Sequence, residues 1–160
     1  MIGLLRGTLI SKEYPIILVD VREVGYELET SLRTYEQLPE LNGSVVLYTQ
    51  QIIREDAHLF IGFIDSFERQ LFRTLIKMSG IGPKLALAVL SNIEPNDFIQ
   101  AIALQDLHRI TKIPGIGKKM AERLLIELRD KIVDINPSCM QPTPAAGAYQ
   151  EALSALTHLG

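Results

Sequence analysis

One short device occurs twice in this chain and limits what the rest of it can be. The first copy is Met78-Ser79-Gly80-Ile81-Gly82-Pro83-Lys84, and the second, 35 residues further on, is Ile113-Pro114-Gly115-Ile116-Gly117-Lys118-Lys119. Apolar residues at helical intervals flank the pair, Leu71 and Leu75 before the first copy and Ala121, Leu124, Leu125 and Leu128 after the second. Each copy therefore predicts helix, glycine turn, helix. Two glycines around one apolar residue let the backbone take positive φ or approach another group closely. The helix that follows opens with N–H groups that lack internal partners, at the positive end of its dipole. With lysine beside them, such amides make a cradle for phosphate.

A pair of tight connections inside a helical bundle explains the glycines but leaves Lys84, Lys118 and Lys119 without a role. The duplicated device resembles the tandem helix-hairpin-helix of DNA-binding proteins, a resemblance that implies a grip on phosphates without reading of bases. The charge pattern agrees once the chain is divided. Net charge is −3 overall, yet residues 1–70 hold 6 Lys/Arg against 11 Asp/Glu, and residues 71–131 hold 10 against 6. Positive charge is concentrated on the segment with the two turns, as a phosphate-binding unit requires.

The 160 residues, 47 % of them hydrophobic, have room for one medium domain or two small ones. No apolar run is long enough to span a bilayer and no charged-then-apolar leader opens the chain, so a cytoplasmic protein is expected. The lone Cys139 has no internal disulfide partner, and three scattered histidines predict no metal site.

Over residues 1–65 the hydrophobic period is two. Strands are predicted over 2–10, 16–21, 26–29, 45–54 and 58–63, with a short helix over 31–38 that Pro39 ends. Five strands with one helix before the fourth suggest a closed barrel of the oligonucleotide-binding type, although a sandwich or an open meander also fits. Between the last two strands, Arg54-Glu55-Asp56-Ala57 places adjacent carboxylates on a hairpin tip. Acidic residues are common at tips because they are solvated there. Beside a phosphate-binding unit, however, these two would repel DNA backbones.

Asp65 and Glu68 have the spacing of a capping box, and Pro83 and Pro95 suit the first turn of a helix. The last long helix is expected over 118–132. Residues 136–147 hold three prolines and no Lys, Arg, Asp or Glu, which reads as a linker. After it, Tyr149, Leu153 and Leu156 form an amphipathic stripe too short to stand alone. The expectation is an α+β multidomain chain with an oligonucleotide-binding barrel over 1–65, an all-α tandem helix-hairpin-helix unit over 66–133, a flexible linker over 134–148, and the remnant first helix of a truncated third domain over 149–160.

With these elements placed, the sequence resembles the RuvA family, Holliday-junction-binding subunits of the bacterial branch migration complex. The resemblance covers residues 1 to about 131. It is carried by Met1-Ile2-Gly3, Leu5-Arg6-Gly7, Val24-Gly25-Tyr26-Glu27, Arg54 to Ala57, Gly62-Phe63, Gly80 to Ala88, and Pro114 to Leu124. It implies that Gly80, Gly82, Lys84, Gly115, Gly117, Lys118, Lys119 and Arg123 hold duplex phosphates and that Glu55 and Asp56 form a central acidic pin. It also implies a tetramer or octamer that holds a four-way junction open and square, with partners in the RuvB ATPase, reached through a third domain, and in the resolvase RuvC. No cofactor is implied. Because the third domain breaks off after its first helix, the resemblance leads to the expectation that motor coupling is impaired while junction binding is intact.

An enzyme is the rival reading, because DNA glycosylases and lyases use a similar hairpin with a nucleophilic lysine and an activating aspartate downstream. Here the candidates are Lys119 and Asp134. An ATP site is not indicated, since Gly-x-x-x-x-Gly-Lys-Ser/Thr does not occur. Energy for moving a junction has to come from a partner.

Overall fold

The computed structural model describes residues 1–135. The expected linker beyond Ile135, the helix expected over 149–160 and Cys139 lie outside the described residues. Within them, five strands precede a run of helices: β1 (Leu4–Glu13), β2 (Ile16–Val21), β3 (Val24–Thr30), α1 (Leu32–Glu36), β4 (Ser44–Ile53), β5 (His58–Phe63), α2 (Ser66–Ile76), α3 (Pro83–Asn92), α4 (Pro95–Ala103), α5 (Leu107–Thr111) and α6 (Lys118–Ile135).

The strands close into a barrel in the order β1-β2-β3-β5-β4. This selects the barrel over the sandwich and the meander. Closure depends on one short parallel pairing, Glu29 with Ile61 and Thr30 with Gly62, while every other pairing is antiparallel. β1 is longer than its period-two pattern because it serves two neighbours. Leu4–Thr8 pairs with β4 and Thr8–Glu13 with β2, the β2 register shifting between Leu9 and Ser11. A bulge of this kind bends the strand and increases its twist. The β2–β3 turn was also hard to read, since its positive-φ positions are Arg22 and Glu23, where asparagine or glycine is the usual signal.

Helix starts follow local chemistry. Ser31 caps α1 by accepting the Thr34 N–H at 3.1 Å, and Asp65 caps α2 by accepting the Glu68 N–H at 2.6 Å. Pro83 and Pro95 each stand in the first turn of their helices. The Asp65–Glu68 capping box is realised only in part, because the Glu68 carboxylate is turned toward α1. At the far end, α6 continues through Ile135, so the first two positions expected to be linker are helical. From Lys118 to Asn136 no proline or glycine interrupts the sequence.

The described residues form two cores. Leu5, Leu9, Ile17, Val19, Leu28 and Leu47 fill the barrel. The second core starts on β5 with Ile61 and Phe63 and continues through Leu71, Phe72 and Leu75 into the remaining helices, ending at Ile132. Phe63 meets Phe72 with ring centroids 5.2 Å apart. Burial of each such side chain stabilises by about 1.5–3 kcal/mol, so the shared core binds barrel to helices strongly. No helix among the described residues is long and apolar enough to cross a membrane.

Candidate nucleic-acid interface

The two turns connect α2 to α3 and α5 to α6, and they are copies in three dimensions as well as in sequence. The Ile81 N–H donates to the Met78 carbonyl at 3.2 Å and the Ile116 N–H to the Ile113 carbonyl at 3.1 Å. The Ala86 N–H donates to the Gly82 carbonyl at 3.0 Å and the Ala121 N–H to the Gly117 carbonyl at 2.9 Å. Gly80 and Gly115 both have φ of +89°. Ile81 and Ile116, the residues between the glycines, are buried and anchor each turn in the core.

The glycines of each pair serve different ends. A Cβ on Gly80 would lie 3.1 Å from Met120 Cε, and one on Gly115 would lie 2.9 Å from Leu85 Cδ1. Leu85 and Met120 are themselves 35 residues apart, so each turn packs on the second helix of the other hairpin across a pseudo-two-fold axis. The first glycine is thus fixed by positive φ and by packing. The second is not. Gly82 has φ of −89°, and a Cβ added at Gly82 or Gly117 would meet nothing within 4 Å. The chain itself leaves room for a side chain there, directly where each following helix begins. No side chain caps α3, and Pro83 brings no N–H.

The cations assemble around these openings. Lys84, Lys118 and Lys119 are exposed, and none forms an ion pair among the described residues. Arg123 bonds through Nε to Glu127 at 2.8 Å, and its terminal nitrogens form no ion pair among the described residues. Its Nη1 lies 4.0 Å from where a Cβ on Gly80 would be. Arg123 is therefore at the first turn although it belongs to the second hairpin, and its counterpart by the 35-residue shift, Ala88, carries no charge. Lys84 and Arg123 thus accompany the first turn and Lys118 and Lys119 the second, while the exposed Lys77 and Lys112 precede the two turns at equivalent positions.

Glu55 and Asp56 are on the barrel, at the exposed β4–β5 tip, in a turn closed by the Arg54 N–H donating to the Ala57 carbonyl at 2.8 Å. Neither is in an ion pair among the described residues, and no hydrogen bond joins the tip to the glycine turns. Asp134 is 15 residues beyond Lys119 on α6, which at a rise of about 1.5 Å per residue separates them by roughly 22 Å. An aspartate so placed does not activate that lysine.

Comparison with known proteins agrees with this architecture. Residues 1–62 match a family described as the RuvA N-terminal domain, and residues 72–130 match a SAM-like helix-hairpin-helix tandem. Relatives named Holliday junction branch migration complex subunit RuvA include one from Laribacter hongkongensis, 51 % identical over 92 % of this chain and 74 % of the relative. One from Methylococcus capsulatus is 49 % identical over the whole chain and 84 % of the relative. The chain belongs to the RuvA family. Another member, from Pseudomonas aeruginosa, is 46 % identical over the whole chain and 84 % of the relative.

Within this RuvA-family chain, a cluster that sequence reading did not find surrounds Glu68. The side chain is fully buried. Its carboxylate accepts hydrogen bonds from the Ser31 hydroxyl, the Thr34 hydroxyl at 2.7 Å and Arg33 Nη1 at 3.3 Å. Burial pushes its pKa upward, and the three donors oppose that shift. The partners are 34 to 37 residues away, which is why a local pattern reveals only the capping spacing.

Proposed function

We propose that this chain is a non-catalytic, structure-specific DNA-binding protein that holds four-way junctions through their phosphates and presents them to a RuvB-type ATPase for branch migration in recombination and repair. The carrying observation is the pair of equivalent turns, each with a glycine that faces open space and exposed cations in the adjoining sequence. Nothing among the described residues requires glycine at 82 or 117, whereas a phosphate oxygen approaching the backbone would. Two cradles related by a two-fold axis suit the two strands of one duplex. In this reading Gly80 and Gly115 shape the turns, Gly82 and Gly117 admit phosphate, and Lys84, Lys118, Lys119 and Arg123 neutralise it. Assembly of four copies around a junction brings four tips to its centre, with RuvC as a further partner and the cytoplasm as the site of action. A gel-shift comparison of four-way junction with linear duplex at matched salt tests this, and equal affinity for both would overturn it.

The acidic tip then acts by exclusion. Carboxylates converging at a crossover repel phosphates and discourage a continuous duplex from lying across the centre. Glu55→Gln with Asp56→Asn should raise affinity for linear duplex several-fold more than affinity for a junction. An equal change for both would remove the tip from the discrimination.

Placement of Arg123 at the first turn makes a separate claim. In double-mutant cycles on duplex binding, Arg123→Ala should couple to Lys84→Ala by about 0.5 kcal/mol or more and add independently to Lys119→Ala. Coupling to Lys119 alone would assign Arg123 to its own hairpin.

A further inference from the structure

The buried polar cluster at the seam between barrel and helices has no part in the phosphate grip, yet it fastens several helix ends to one point. α1, inserted between β3 and β4, provides that point. Beyond its contact with Glu68, Arg33 donates through Nη1 to Asp65, the cap of α2, at 2.6 Å, and through Nε to Glu94, the cap of α4, at 2.9 Å. The Leu32 N–H donates to Ser91 Oγ near the end of α3 at 3.0 Å, and that hydroxyl donates to the Leu87 carbonyl at 2.7 Å. The Ile64 N–H donates to Thr34 Oγ1 at 3.0 Å, which holds the link between β5 and α2.

An apolar core gives adhesion between two units but little direction, because dispersion and burial are not directional. Charge-assisted hydrogen bonds fix angles. Here one guanidinium meets three carboxylates from two helix starts, and one of the three, the buried Glu68, also accepts from the Ser31 and Thr34 hydroxyls. The elements so fixed lead in two directions. α2 runs to the first phosphate turn, and β5 runs back to the acidic tip.

We propose that Ser31, Arg33, Thr34, Asp65, Glu68 and Glu94 form a positioning joint that sets preference for branched over linear DNA by holding the acidic tip at a fixed disposition to the phosphate turns. This rests on the four-way junction reading above. The residues touch no DNA in this role; they act through the angle between the two units. A grip on linear duplex needs only the turns, whereas rejection of a continuous duplex at the centre needs tip and turns in register.

Arg33→Met in the full chain keeps the aliphatic stem and removes the fork. It is expected to lower the ratio of four-way to linear affinity about tenfold, with the salt dependence of linear binding unchanged. Glu94→Gln, which alters only the exposed arm of the joint, should lower the ratio a few-fold and decides the matter if Arg33→Met does not fold. An unaltered ratio in the folded variants would overturn the proposal, as would a shallower salt dependence on linear duplex, which would mean that the joint maintains the turns themselves. Absence of any four-way preference in the unmodified chain would instead sink the underlying reading.

Discussion

Gly82→Val combined with Gly117→Val is expected to reduce DNA binding by at least a hundredfold and leave the protein folded. At both positions a Cβ has open space around it, and φ of −89° at Gly82 is comfortable for any residue. The folding cost is then limited to a poorer helix N-cap, about 1 kcal/mol at each site. A branched side chain at the opening keeps a phosphate away from the backbone amides, and each lost charge-assisted bond is worth about 1.5–3 kcal/mol. The contrasting pair is Gly80→Val and Gly115→Val. With φ of +89° and a neighbour at 3.1 or 2.9 Å, these variants should lose stability first, by about 1–3 kcal/mol each from backbone strain before any clash is counted. Thermal unfolding beside gel shift separates the two classes. If the 82 and 117 variants unfolded as readily as the 80 and 115 variants, the openings would be structural and not ligand-directed.

Lys118→Ala with Lys119→Ala should produce the second large effect, a fall in duplex affinity of one to two orders of magnitude near 0.1 M salt. Both lysines are exposed and free of ion pairs among the described residues, so their removal breaks no ion pair there. Each phosphate neutralised contributes about 0.9 to the slope of log affinity against log salt, so the double variant should lose about 1.8 of that slope. Titrations at several salt concentrations, repeated on duplexes of unrelated sequence, provide the check. Sequence-dependent affinity with an unchanged slope would contradict binding through phosphates.

How much of this was legible beforehand depended on how local the cause was. The ends of β2 and β5 and the starts of α3, α4 and α6 agree with the sequence reading, because period-two runs, prolines and lysines after glycine act over a few residues. The same applies to Glu55 and Asp56 at their tip. The division of labour within Gly80-Ile81-Gly82 was not legible. Positive φ falls on the third residue of each turn closed onto Met78 or Ile113, and the approach of Met120 and Leu85 from the opposite hairpin, which also excludes a Cβ there, leaves no trace in a single turn. Arg123 at the first turn depends on the same crossing. β1 outran its predicted end since its second half pairs with β2 beyond the stretch held by β4, and the Glu68 cluster stayed hidden because hydroxyls at Ser31 and Thr34 reach it across more than thirty residues.

The core that starts on β5 also bears on how this chain can be taken apart. The family matches stop at residue 62 on one side and begin at residue 72 on the other, which invites a cut between them. Such a cut runs through a packed interior. A helical fragment beginning at Ser66 leaves Ile61 and Phe63 behind, so Phe72 loses the ring it packs on. The barrel fragment in turn carries those two side chains, fully buried in the intact chain, out into water. Two modules that look separable in a linear alignment are therefore expected to unfold together, and shuffling either into another protein calls for resurfacing β5.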